Sequence, residues 1–238
     1  MGCPERVYSA PLQGDGAMSG EELQAWLNAH GASLVVDGDP GSLTRDAIRK
    51  VFTNPCAGAV TDDDIAHLAT RLGCSPKQLR AVSKVESGGA GFDDEGKPKI
   101  LFERHIFARL TKGKWSPAIF SNRSGGGYSE PSWDKLTLAA CKDADAAFSS
   151  VSWGKFQVMG MHWSFLGYPS PIEMAYSTVT SEAAHYEMLA RYIEKNGLKS
   201  KLSDISTNAD DNRPLARSYN GANYHQFDYH NKLARAMA

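Results

Sequence analysis

The sequence predicts a mainly α-helical protein with a minor β segment, built as a small N-terminal module followed by a larger domain. Three observations carry this. Apolar residues recur at three- and four-residue intervals in several stretches, the period of one helix face. Those stretches open at Ser, Thr or Pro and close at Gly, residues that suit helix starts and stops. Gly- and Asp-rich segments lie between them and read as loops or a small sheet.

Residues 1–18 are rich in Gly, Pro and Ser, show no period, and are expected to form a flexible lead. Residues 19–57 form the small module. Leu23, Trp26 and Leu27 give one helical stripe; Leu43, Ala47, Ile48 and Val51 give another, with Thr44 near its start. So small a unit has a marginal core and is expected to lean on its neighbour. Asn54-Pro55-Cys56-Ala57-Gly58 reads as a linker, and the larger domain runs from residue 61 to 238. Thr61 opens a helix through Ile65, Leu68, Ala69 and Leu72 that stops at Gly73, with Asp64 completing a loose capping box. A second helix follows at once. Ser75 caps it, Pro76 suits its first position, and Leu79, Val82 and Val85 mark its apolar face up to Glu86, before Ser87-Gly88-Gly89.

Residues 87–100 are Gly- and Asp-rich, and Ile100-Leu101-Phe102 ends that segment. Residues 111–134 are irregular. Their Ser124-Gly125-Gly126-Gly127-Tyr128 run lacks the Lys-Ser/Thr that a phosphate-binding loop needs. Ala184, Met188 and Tyr192 place a helical pattern over about 170–196, closed by Gly197. A turn and a final helix are expected over 219–238.

Composition narrows the function. The chain has 238 residues, 42% of them hydrophobic, enough to bury a core. A net charge of -1 disfavours nucleic acid as a partner and leaves no polybasic tail. No apolar run reaches the roughly eighteen residues of a membrane span, so no stable membrane insertion is expected. The first twenty residues carry no secretory signal pattern. Cys3, Cys56, Cys74 and Cys141 form no Cys-x-x-Cys pair and are expected to be thiols in a reducing compartment. Glu182 and His185 share a helix face, yet a zinc site needs a third ligand and no His-Glu-x-x-His is present. Neither a metal nor an organic cofactor is implied.

Glu86 is the most informative residue. It lies four positions after Val82, so it leans toward the apolar face at the negative end of its helix. Desolvation and the helix dipole both favour the neutral carboxyl. An acid still protonated near neutral pH is what cleavage of a glycosidic bond requires. The alternative is a structural glutamate that bonds backbone amides.

Glu86-Ser87, Gly154-Lys155-Phe156-Gln157 and Tyr219-Asn220, in that order, resemble the active-site signature of goose-type lysozymes and soluble lytic transglycosylases. Val85-Glu86-Ser87-Gly88, Leu101-Phe102-Glu103-Arg104-His105 and the stretch from Ser152-Trp153 to Met159-Gly160 look like the N-acetylmuramidase domain of modular phage endolysins, over roughly 61–238. This resemblance implies a lysozyme-like helical fold and cleavage of the glycan strands of peptidoglycan. Residues Glu22 to Gly31, followed by Val36 to Ile48, are similar to three-helix peptidoglycan-binding modules, with Trp26, Asp37, Gly38 and Thr44 on their pattern. Together these resemblances imply a monomeric endolysin made in the host cytoplasm. A separate pore-forming holin would release it to act on peptidoglycan in the periplasm.

The resemblance also assigns candidate roles. Glu86 is the general acid. Gln157 lines the cleft and Tyr219 offers a hydroxyl to orient Glu86, with ordinary core polarity satisfied internally as the alternative for both, and Asn220 shapes the turn. Glu103 is either a structural ion-pair partner of Arg104 or another cation, or a second catalytic carboxylate. Asp93, Asp94 and Glu95 are further candidates for a base. Trp153 and Phe156 are candidates to stack on sugar faces, with the protein core as the alternative. The motifs do not separate a hydrolase from a lytic transglycosylase, nor exclude a non-catalytic wall-binding protein.

Overall fold

The structure, a computed structural model, describes residues 17–87, 89–115 and 131–238. Most of the N-terminal lead and the Ser124–Tyr128 glycine run therefore lie outside the described residues.

Two helices open the chain, α1 (Gly20–Ala29) and α2 (Ser42–Val51). Ser19 and Glu22 cap α1 reciprocally, satisfying amides that the first turn leaves without partners. The connection between the helices is pinned by Gln24. Its Oε1 accepts from the Asp37 and Gly38 amides, and its Nε2 donates to Asp37 at 2.7 Å. Thr44 lies inside α2, 2% exposed, while Gly41 is the cap, so Thr44 serves the core and does not cap the helix. Residues 19–57 thus carry two helices where the resemblance implies three.

The third side is supplied by residues further along the chain. Phe52, just past α2, is fully buried among the rings of Trp133, Phe148, Trp153 and Tyr176, with centroids 5.5–5.9 Å away. Trp26 donates its indole N–H to Glu173 at 2.9 Å and meets Tyr176 edge-on. The linker is fastened as well: Asn54 donates to the carbonyls of Val179 and Thr180, and Gly58 bridges to Ser181. One hydrophobic core runs from Leu23 to Leu233.

Helices α3 (Asp62–Leu72) and α4 (Pro76–Glu86) follow as expected. Thr61 with Asp64, and Ser75 with Gln78, form full capping boxes, and Gly73 ends α3 in the left-handed conformation. Strand β1 (Ile100–Phe102) pairs antiparallel with β2 (Val151–Trp153), which pairs antiparallel with β3 (Val158–Met159). Between β1 and β2 lie α5 (Arg104–Leu110), α6 (Ser132–Ala140) and α7 (Ala144–Ser149). Their short length and Ala-rich sequence give no clear period.

The helical pattern over 170–196 is two helices, α8 (Pro171–Ser177) and α9 (Glu182–Lys195). Ser181 caps α9, and the Glu182 amide donates to the Gly58 carbonyl, so the break is built into the linker contact. Helices α10 (Lys199–Ser203), α11 (Arg213–Asn220) and α12 (Tyr229–Met237) complete the chain, with α12 packed along α4.

Cys56 is disulfide-bonded, against the expectation of four thiols; Cys74 and Cys141 are free, and Cys3 lies outside the described residues. No described helix is long and apolar enough to cross a membrane.

Candidate active site

Glu86 is the last residue of α4, and Ser87 after it is extended, so the carboxylate leaves the helix where the chain turns away. Its side chain is partly buried. Asn220, the last residue of α11, donates its Nδ2 to Glu86 Oε1 at 2.9 Å. Burial pushes the Glu86 carboxyl up to about 7, against the opposing pull of the Asn220 hydrogen bond and the Lys232 charge on α12. A group poised there holds a transferable proton near neutral pH.

An aromatic wall stands beside it. Tyr192 and Tyr219 meet edge to face at 5.4 Å. Burial, and then the neighbouring Glu86 carboxylate, push the Tyr219 hydroxyl well above its usual range. The same two causes raise Tyr229. The hydrogen bond to Glu86 comes from Asn220, however, which reverses the roles expected for this pair. Asn220 holds the acid, and Tyr219 packs beside it.

Gln157 sits on the turn between β2 and β3, exposed, with φ +51°. Its Nε2 donates to the Gly154 carbonyl at 2.8 Å, and its side chain lines an open pocket of about 930 Å³ with Ala90, Lys99, Ile100 and Trp133. Glu95 borders the same pocket, 2.7 Å from Lys97. Asp93 is a turn residue whose carboxylate accepts from the Glu95 and Lys97 amides. Glu103 precedes α5. Its carboxylate stands 3.4 Å from the His105 ring and acts on the buried Lys135 ammonium.

The two expected stacking residues are corrected. Trp153 is 1% exposed, with its ring among Phe52, Phe148 and Trp133 and its indole N–H on the Phe148 carbonyl. Phe156 is 4% exposed, edge-on to Tyr186. Neither offers a face to a sugar. In residues 19–57, Trp26, Asp37, Gly38 and Thr44 are likewise engaged by the protein itself.

Sequence reasoning misses Lys155, which reaches both Gly89 and Glu182, and Lys232, whose charge faces Glu86. Lys155 lies inside the Gly154–Gln157 motif, so its position is visible there although its role is not. No group of three or more metal-ligating side chains is present among the described residues.

In this helical protein one helix ends in a desolvated carboxyl that an amide from another helix holds, the kind of poised acid that cleavage of a glycosidic bond requires. The family model of the muramidases, described as N-acetylmuramidase, matches residues 75–238, starting at the cap of the helix that carries Glu86. The crystal structure of Burkholderia AP3 phage endolysin is similar at 31% identity and a TM-score of 0.66, over 91% of this chain and 92% of that one. No curated protein matches. The chain belongs to the N-acetylmuramidase family, and its class of activity is hydrolysis of peptidoglycan.

Proposed function

We propose that this protein is a phage endolysin that hydrolyses the β-1,4 bond between N-acetylmuramic acid and N-acetylglucosamine, with Glu86 as general acid. The observation that carries it is the Glu86 carboxyl, raised to about 7 by burial and held by Asn220. Glu86 gives its proton to the glycosidic oxygen as the C1–O bond breaks. Charge builds on the sugar as an oxocarbenium-like centre, and water adds to C1 and loses a proton. Gln157, with a donor and an acceptor at the edge of the open pocket, suits the amides and hydroxyls of the sugars.

The likeness to a phage endolysin over nine-tenths of both chains supports the endolysin reading, and with it we propose release by a holin and action in the periplasm as a monomer. The Cys56 disulfide agrees with work in an oxidising compartment. Wall anchoring by residues 19–57 would fall to the side chains that part leaves exposed, Val35, Val36 and Leu43. The test is the release of soluble fragments from purified peptidoglycan by the native protein and by Glu86→Gln. Equal release by both would overturn the assignment of the acid.

A further inference from the structure

The segment after Glu86 and the turn that carries Gln157 are joined by a polar network, built on buried His185, that the proton transfer itself does not use. Glu182 and His185, three positions apart on α9, point at it from one face. His185 is 2% exposed. Its Nε2 lies 2.7 Å from the Thr178 carbonyl and so carries the hydrogen, which leaves Nδ1 to accept from the Lys155 amide at 3.0 Å. The Lys155 ammonium donates to the Gly89 carbonyl at 2.7 Å and to Glu182 at 2.9 Å. Glu182 also accepts from the amides of Val60 and Gly91.

Backbone fits around this cluster without slack. The His185 ring stacks on Phe92. A Cβ on Gly91 would collide with its Nδ1, and one on Gly154 would stand 3.0 Å from the ring. The turn it supports holds Gly154 at φ +66° and Gln157 at φ +51°, a conformation that a side-chain-bearing residue keeps only when its surroundings enforce it.

We propose that Lys155 and His185 are positioning residues for glycan cleavage: they clamp the segment after Glu86, Gly89–Gly91, to the turn that carries Gln157. The two walls that meet the sugar thereby hold one spacing. The inference rests on the roles given to Glu86 and Gln157 under the proposed function. Lys155 lines the same pocket as Gln157, but its ammonium is turned to Gly89 and Glu182, and the role assigned to it and to His185 is positioning rather than contact with substrate.

Steady-state cleavage of soluble glycan strands by Lys155→Met, Lys155→Arg and His185→Asn tests it, with folding followed by circular dichroism. Lys155→Met keeps the stem but loses both ammonium bonds. Its kcat should fall about tenfold to a hundredfold, the range for a misplaced reacting geometry, with KM near native and the protein folded at the assay temperature. Lys155→Arg and His185→Asn each keep a donor or acceptor at the critical place and should retain most of the native rate. The Glu86 carboxyl answers to burial, Asn220 and Lys232, not to Lys155, so the pH at which activity falls should stay fixed.

Native kcat in a folded Lys155→Met, or an equal loss of kcat in Lys155→Arg, would sink the clamp. Should Lys155→Met fail to fold, His185→Asn against His185→Leu makes the same comparison, and equal kcat in that pair sinks it too. Glu86→Gln in the same assay separates the two ideas. Normal cleavage by that variant defeats the proposed function, whereas the clamp stands or falls on the Lys155 and His185 variants.

Discussion

Asn220 donates its side-chain amide to the Glu86 carboxylate across 2.9 Å, joining the last residue of α11 to the last residue of α4. That bond and the Lys232 charge favour the ionised carboxylate, while burial favours the neutral acid and outweighs them. The acid is thus oriented by a group that also limits how far its pKa rises.

Glu86→Gln keeps the shape and removes the transferable proton. Activity on peptidoglycan should fall at least about a hundredfold, the lower end for a general acid. Rates of fragment release at fixed enzyme concentration check this.

Activity should decline as pH rises through about 7, where Glu86 loses its proton. Asn220 stabilises the charged form, so Asn220→Ala should move that limb to higher pH while lowering the maximal rate. Lys232→Met should move it the same way. A pH–rate profile of each variant reads the shift, and a limb moving to lower pH would contradict the assignment.

The same group links pH to stability. Its folded pKa, about 7, lies above the ordinary value of 4.5, so the unfolded chain releases this proton first. The contribution of Glu86 is therefore full below about 4.5 and lost as pH rises through about 7. Glu86→Gln should gain stability relative to the native protein across that window, by on the order of 3 kcal/mol above it. Denaturant midpoints on either side of the window, in mildly acidic and mildly alkaline buffer, give the comparison.

Phe52 joins the N-terminal helices to the rest through four aromatic neighbours. Phe52→Ala should cost about 3–5 kcal/mol and lower a single unfolding transition, because one core spans both parts. Two separate transitions, with only one shifted, would show instead that the N-terminal helices melt on their own.

Helices α3 and α4 are legible in the sequence because every local signal agrees: capping boxes, Pro76 at the first position and a regular apolar face. Glu86 is legible for the same reason. Asn220 is visible as a motif residue, but its bond to Glu86 spans 134 positions, and no local pattern specifies such a contact. The burial of Trp153 and Phe156 depends on which side of a short strand and turn faces the core, and two or three residues give no alternation to decide it. The N-terminal module reads as separate because Phe52 finds its partners only in the folded chain.

Mass spectrometry of fragments released from purified peptidoglycan, with Glu86→Gln run alongside, tests the central claim most directly. Reducing N-acetylmuramic acid ends, absent with the variant, are the predicted result. Anhydro ends, lighter by one water, would make the enzyme a transglycosylase, and peptide cuts or unchanged release by the variant would contradict the assignment of Glu86.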